Sequence, residues 1–249
     1  MVERASALLI SRGQLSLRAA AFAVLLAGLG AYYSAHAELP NTSTWADVAV
    51  ISLALMPAVF ALVYLVLPLW RAGPWQLLLL AIAFAALAVV LRTAGLGAPS
   101  DFAKLAAMTA VAFWFLNYFE SLSWVVVVAL IVPWVDAYSV WRGPTSNIVH
   151  NHRHVFTTLS FAFPVPGENS AANLGLPDLL FFGLFLAASM RFRLRPLLTW
   201  IALTASFGAT IAIAVAWDQP GLPALPLLSL AFLLVNADLL WQRLRTRRT

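Results

Sequence analysis

The feature that most constrains this chain is a series of long, nearly uncharged apolar blocks, several of them about 20 residues in length. A helix of about 20 apolar residues crosses the hydrocarbon core of a bilayer. Transmembrane β-strands would be shorter and would alternate apolar with polar residues, which these blocks do not. Only 10% of the 249 residues are Asp, Glu, Lys or Arg, whereas soluble domains carry about 25%. The sequence therefore predicts an all-α, polytopic membrane protein.

We predict a bundle of about eight transmembrane helices that forms a single membrane domain over residues 1–249. Residues 1–120 supply the N-terminal helices, and residues 121–241 supply the helices that carry the candidate site. A long polar connection at 143–173 joins two of these C-terminal helices. The predicted spans are 17–36, 46–70, 75–97, 103–119, 121–141, 174–191, 196–217 and 224–241.

The first predicted span, 17–36, has features of a signal peptide. Arg12 and Arg18 precede its apolar run, and the Ala-His-Ala tripeptide at 35–37 is a small-residue cleavage pattern. We favour an uncleaved first span, because the charged stretch before the apolar run is long. Cleavage would leave seven spans in the same orientation.

The basic residues indicate which end of each span faces the cytoplasm, because cytoplasmic loops are enriched in Lys and Arg. The residues that fit cytoplasmic termini are Arg4, Arg12, Arg71, Arg191, Arg193, Arg195, Arg243, Arg245, Arg247 and Arg248. Those that oppose the trend are Arg92, Lys104, Arg142 and Arg153. We therefore predict that both termini are cytoplasmic. The net charge of +5 is assigned to membrane topology and not to nucleic-acid binding.

Amino-acid usage narrows the kinds of site that the chain can contain. It has no cysteine, which excludes disulfides, thiolate nucleophiles and cysteine-bound metals. It also has no phosphate loop and no dinucleotide fingerprint, and we predict no cofactor. Lys104 is the only lysine, and such a preference for arginine is typical of GC-rich bacterial genomes. We expect an integral protein of a bacterial or archaeal plasma membrane, with the lipid bilayer as its surroundings.

Two aspartates lie inside predicted spans, where a carboxylate costs about 2.5–3.5 kcal/mol to insert and is a functional candidate. Asp136 precedes the end of its span by about five residues, and Asp178 follows the start of the next span by about five. At a rise of 1.5 Å per residue, both lie about 7–8 Å below the same membrane surface. This matched depth is compatible with a pair of interacting carboxylates.

Two neighbouring carboxylates share a proton, because both cannot ionise easily. The ionised group can take a proton from water as the water attacks a peptide carbonyl, and the protonated group can donate to the carbonyl oxygen. Pro177 suits the first turn of a helix, which would place Asp178 near a helix N-terminus. The residues alone leave open that each aspartate makes a structural polar contact or conducts protons in a transporter.

A third element opens the last predicted span, where Pro220 is followed by Pro223, Ala224, Leu225 and Pro226. Three prolines in seven residues disfavour a regular helix start. Irregular backbone at membrane depth occurs where it is buried in protein or faces a water-filled cavity.

The three elements, in this order, resemble the motifs of the presenilin and signal peptide peptidase family of intramembrane aspartyl proteases, which are Tyr-Asp, Gly-x-Gly-Asp and Pro-Ala-Leu. The resemblance covers about 120–241. Val135 stands in place of the motif's Tyr, and Pro177 stands in place of the second Gly. The residues that match are Asp136 for the first motif, Gly175 and Asp178 for the second, and Pro223, Ala224, Leu225 and Pro226 for the third.

The resemblance implies a presenilin-like C-terminal half in which Asp136 and Asp178 are catalytic. Gly175, Pro177 and the 223–226 stretch would support the active site or bind substrate. The implied substrates are single-span membrane proteins or signal peptides, and the predicted orientation is similar to the signal peptide peptidase branch, which favours type II substrates. The alternatives are a proton-coupled transporter or channel and a catalytically inactive membrane scaffold.

The polar connection contains a segment, 157–163, that alternates polar or small residues with apolar ones, which predicts a β-strand. A helical substrate hides its peptide bonds and must be unwound before attack. Ser160, Phe161 and Ala162 are therefore predicted to bind an unwound substrate by β-augmentation.

His150, His152 and His154 also alternate in this connection and would share one face of a strand. Zinc sites use about four ligands, and no fourth ligand is evident nearby. A polar interfacial loop is the favoured interpretation, and no metal site is predicted.

Overall fold

The computed structural model describes residues 2–142, 159–219 and 222–245, and these are mainly helical. Pro occupies the first turn of several helices, where its missing N–H leaves no hydrogen bond unmade. Within the described ranges the α-helices are α1 (Val2–Ala35), α2 (Thr44–Val50), α3 (Met56–Leu65), α4 (Pro74–Thr93), α5 (Gly97–Leu116), α6 (Leu122–Arg142), α7 (Leu176–Arg191), α8 (Pro196–Ala216), α9 (Leu225–Val235) and α10 (Ala237–Arg245).

Several of these helices have the length and composition of membrane spans, which confirms the predicted fold class at this level. Among the described residues five stretches qualify, or six if the bent pair α9 and α10 counts as one. α5 is more polar because it carries Asp101 and Lys104, and α7 has 16 residues. The five stretches are Leu15–Glu38, Thr44–Arg71, Pro74–Thr93, Leu122–Ser139 and Pro196–Ala216.

The second of these stretches is one long helix with a local change of winding. A π-helical turn, Ile51–Leu55, joins α2 to α3. Ser52 in this turn packs against Gly208 of α8, where an added Cβ would lie 2.9 Å from the Ser52 Cβ atom. Small residues allow helix backbones to approach closely in membranes, so α8 lies directly against this turn.

α7 is the central helix of the bundle, and every residue from Phe182 to Ser189 is buried. Phe182 stacks on Phe60 of α3, with ring centroids 4.2 Å apart. On another face Gly183 lies so close to α5 that an added Cβ would be 2.9 Å from that of Ala112. This close packing fixes the helix that carries Asp178.

A two-stranded antiparallel sheet precedes α7. Its strands are β1 (Ser160–Pro164) and β2 (Ala171–Gly175), with Ser160 opposite Gly175. The strand predicted at 157–163 is confirmed over 160–163, whereas residue 159 is in a turn. Residues 157 and 158 lie outside the described residues. β2 was not predicted, and because of it α7 begins two residues later than the predicted span 174–191.

The last predicted span, 224–241, is wrong as one continuous helix. The helix is interrupted at Asn236, and α10 is bent by 68° from α9. The buried Asn236 amide donates to the Thr199 hydroxyl and the Phe232 carbonyl, both at 3.0 Å, and accepts from the Arg195 N–H at 3.2 Å. The bonds to Thr199 and Arg195, which lie at the start of α8, compete with continuation of the helix. α9 therefore ends at Val235.

Candidate active site

The first candidate carboxylate, Asp136, is carried by α6. It lies six residues before the end of this helix at Arg142, which corresponds to about 9 Å along the axis. Pro133 stands one turn earlier inside the helix. Because proline has no N–H, the carbonyl one turn before it loses its helical partner. The helix is therefore weakened just before the aspartate.

Asp136 binds the start of α9. Its Oδ2 atom accepts a hydrogen bond of 3.0 Å from the backbone N–H of Leu225, the first residue of that helix. N–H groups in the first turn of a helix have no partner within the helix, and the helix dipole favours an anion there. Ala224 and Leu225 are both buried at this contact. The first and third sequence elements thus meet directly, although 89 positions separate them.

The second candidate carboxylate, Asp178, is the third residue of α7. Its Oδ2 atom accepts from the backbone N–H of Gly175 at 3.1 Å, which is half of a capping box. Pro177 lies in the first turn, as predicted. A Cβ atom at position 175 would be 3.1 Å from the same Oδ2 atom, so a side chain there would crowd the carboxylate.

Asp136 and Asp178 lie within electrostatic range of each other, and both side chains are partly buried. In the described part of the chain the ion pairs are Lys104 with Asp101 and Arg195 with Asp238, and neither includes the two candidates. Two carboxylates without a cation are suited to share a proton.

The ring of Phe161 in β1 is fully buried in the core. It packs edge-to-face against Phe102 of α5 at 5.8 Å and lies 4.9 Å from the ring of Phe163. The side chain therefore anchors the sheet to the helix bundle.

The backbone of β1 is held along the edge that faces away from β2. Lys104 donates to the Ser160 carbonyl at 2.8 Å, and the Ala162 N–H donates to Asp101 Oδ2 at 3.3 Å. The Tyr33 hydroxyl donates to the Ala162 carbonyl at 2.7 Å. We call Tyr33, Asp101 and Lys104 the hairpin clamp.

Sequence reasoning missed the hairpin clamp. Lys104 was counted among basic residues that oppose the positive-inside trend, yet it is buried and forms an ion pair of 2.7 Å with Asp101. A usable signal was present: opposite charges three residues apart near the start of an apolar helix face the same side. Such a pair indicates a buried contact more than a topology signal.

The edge of β2 that faces away from β1 is the unpaired edge, since the sheet of the described residues has two strands. Its backbone groups belong to Ala171, Asn173 and Gly175. Asn173 is exposed, and its side-chain amide donates to the Ala171 carbonyl at 3.2 Å. This edge runs directly into the Gly175 N–H that holds Asp178.

The three histidines of the polar connection, His150, His152 and His154, lie outside the described residues. Within the ranges that are described, no group of three His, Cys, Asp or Glu residues could hold a metal ion.

The structure thus brings together Asp136, Asp178, Gly175 and the 223–226 stretch. β1 is connected to this site only through its pairing with β2.

No protein-family model matches the chain, and no curated protein matches it.

Proposed function

We propose that the chain is an intramembrane aspartyl protease of the presenilin and signal peptide peptidase kind, with Asp136 and Asp178 as its catalytic pair. The observation that carries this proposal is the hydrogen bond from the Leu225 N–H to Asp136. This bond joins the first and third motifs, and Asp178 of the second motif lies within electrostatic range of Asp136.

In the proposed mechanism each carboxylate has one oxygen held by the backbone. Leu225 and Gly175 donate to the Oδ2 atoms of Asp136 and Asp178, so the Oδ1 atoms are left for water and substrate. One carboxylate takes a proton from water, which attacks the peptide carbonyl carbon, while the protonated partner donates to the carbonyl oxygen. Collapse of the tetrahedral intermediate then releases the amine, which takes up a proton from the pair.

The unpaired edge of β2 is where the proposed substrate would be bound. Main-chain hydrogen bonds to an exposed strand edge can hold an extended peptide. The clamp already occupies the outer edge of β1, so Ser160, Phe161 and Ala162 would support the sheet while Asn173 and its neighbours meet the substrate. A segment on this edge would lead to Asp178, and the 223–226 backbone would border it on the Asp136 side.

The proposal includes eight spans, in which α2 with α3, and α9 with α10, each count as one and α5 and α7 also cross. The basic residues then favour cytoplasmic termini, with the sheet on the opposite side. Substrates would be single-span proteins or signal peptides of type II orientation in a bacterial or archaeal plasma membrane.

The test is cleavage of a type II signal-anchor peptide by the purified full-length protein in detergent. The variants are Asp136→Asn and Asp178→Asn. Asparagine keeps an oxygen that can accept the Leu225 or Gly175 N–H, so the helix starts should stay capped while the acid–base chemistry is lost. We expect the rate of cleavage to fall by a factor of about 100 to 10,000 in each variant.

The matched control is Asp218→Asn, because Asp218 is exposed and its φ of 50° is tolerated by asparagine. This control should cleave at the wild-type rate. Equal cleavage by the wild type and both dyad variants, with all of them folded, would contradict the proposal. Proton flux measured in liposomes would then examine the same carboxylates as a conduction path.

A further inference from the structure

The hairpin clamp joins β1 to two helices that are distant in sequence. Lys104 and Asp101 lie near the start of α5, 56 and 61 positions before their contacts in β1, and Tyr33 lies near the end of α1. All three side chains are at least nine-tenths buried, as is Ser160. The sheet is therefore held from the bundle side by polar bonds that water does not reach.

Asp101 and Lys104 form an ion pair with each other and also bind the backbone of β1. A buried pair needs additional hydrogen bonds to compensate for lost hydration, and here the strand supplies them. Lys104 uses one donor for Asp101 and another for the Ser160 carbonyl. Asp101 uses Oδ1 for Lys104 and Oδ2 for the Ala162 N–H. The pair therefore binds a donor and an acceptor on the same strand edge.

The register of the sheet carries this contact to Asp178. Ser160, whose carbonyl accepts from Lys104, lies directly opposite Gly175. Gly175 in turn donates to the Asp178 carboxylate. A second bond, from the Leu176 N–H to the Leu159 carbonyl at 3.2 Å, continues the pairing into the first residue of α7. One unbroken series of contacts thus leads from Lys104 to Asp178.

We infer that Lys104 and Asp101 are positioning residues that fix the Asp178 carboxylate, and the substrate-facing edge of β2, through the β1–β2 sheet. The expected effect of the clamp on catalysis rests on the proposed protease function. The clamp touches neither the reacting carboxylates nor the unpaired edge, so its effect passes entirely through the sheet.

The key variant is the double replacement Asp101→Leu with Lys104→Met. Removing both buried charges together avoids an unpaired charge, and such replacements are often neutral for folding. The double variant should lose the bonds to Ser160 and Ala162, which leaves a backbone carbonyl and an N–H without these partners. Its unfolding temperature should therefore fall, but less than that of Lys104→Met alone. We expect kcat to fall by about tenfold to 100-fold, since small misplacements of a catalytic group have effects of this order. Thr109→Val on the same helix is the matched control, because its hydroxyl bonds only to the Leu105 carbonyl of α5.

A distance measurement tests whether the clamp positions the sheet, independently of any cleavage assay. The chain has no cysteine, so spin labels can be placed at Asn169→Cys in the exposed hairpin turn and Leu130→Cys on the exposed face of α6. Double electron–electron resonance should give a narrow distance distribution in the otherwise wild-type protein and in Thr109→Val. It should give a broadened or shifted distribution in the double clamp variant.

A narrow, unshifted distribution in the folded double variant would overturn the inference, as would wild-type kcat in that variant. A broadened distribution with a reduced kcat supports it. If the wild type itself does not cleave and Asp178→Asn matches it, the proposed function fails. The distance distributions then still decide by themselves whether the clamp positions the sheet.

Discussion

Two groups of carboxylates lie near the sheet, and they are built in opposite ways. Asp101 has a cation, Lys104, at 2.7 Å, and both partners spend their remaining bonds on β1. Asp136 and Asp178 have no cation among the described residues, and each is held by a single backbone N–H. A fully paired carboxylate keeps a fixed charge and a fixed position. An unpaired couple keeps the freedom to exchange a proton, which acid–base chemistry requires.

The largest effect on stability should come from breaking the paired group on one side only. Lys104→Met leaves Asp101 buried without its cation, which should lower the free energy of unfolding by about 3–5 kcal/mol. Unfolding of the purified protein in a mixed-micelle denaturant titration would measure the loss. Asp178→Asn, in the unpaired group, is the comparison and should lose far less. If the free energy of unfolding fell by similar amounts in Lys104→Met and Asp178→Asn, the paired and the unpaired carboxylates would not differ in the way described.

A smaller loss is expected in the turn that follows β1. Gly167 has a φ of +73°, and an added Cβ would lie 2.4 Å from the Asn41 side chain and 2.8 Å from the Leu39 carbonyl oxygen. Gly167→Ala should therefore cost about 1–3 kcal/mol and loosen the turn that joins β1 to β2. The same titration measures this cost. Gly28→Ala is the control, because nothing lies within 4 Å of an added Cβ there.

The unpaired group can be probed through its cap. Asp178→Ala removes the acceptor for the Gly175 N–H, whereas Asp178→Asn keeps one. We expect the alanine variant to be less stable than the asparagine variant by about 0.5–2 kcal/mol, and both to be inactive. The comparison requires unfolding curves and cleavage rates for the two variants side by side. Equal stability would show that the Gly175 bond contributes nothing to the start of α7.

The smallest effect is expected at the other described ion pair, Arg195 with Asp238. Its atoms approach to 2.6 Å, but the Arg195 and Asp238 side chains are 40% and 52% exposed, and pairs that water reaches contribute little because water screens them. Asp238→Asn should leave both the unfolding temperature and the cleavage rate at the wild-type level. A clear loss in either measurement would mean that burial is not what distinguishes the clamp pair.

The sequence was sufficient for the helices because membrane helices are read from local apolar length. Each predicted span overlaps a helix, and the stretches that qualify as spans confirm the helical membrane fold. It was insufficient where distant segments decide the structure. The Ala171–Gly175 strand has no alternating pattern and exists because β1 pairs with it. The break at Asn236 depends on bonds to Thr199 and Arg195 that no local pattern contains.

The candidate site shows the same division. Asp136, Asp178 and the 223–226 stretch could be selected as residue types in order. The matched depth of the two aspartates stays a prediction, because Asp136 lies six residues before the end of α6 and Asp178 two residues after the start of α7. The bond from Leu225 to Asp136 could not be predicted, because it depends on how α6 and α9 pack. Lys104 was counted only as a basic residue that opposes the topology trend. Its spacing from Asp101 indicated that the two charges share a helix face, but no local pattern contains its bond to the Ser160 carbonyl of β1.

The clamp also has a consequence for how the protein is made. The clamp residues lie 56 to 129 positions before their partners in β1, and the Leu225 N–H that donates to Asp136 comes 89 positions after it. Since the ribosome releases the N-terminal part first, the platform of α1 and α5 is inserted before the sheet can dock on it. The bond that completes the carboxylate site then forms only after α9 has been made and inserted. A nascent chain would therefore acquire its proposed proteolytic activity no earlier than the insertion of α9.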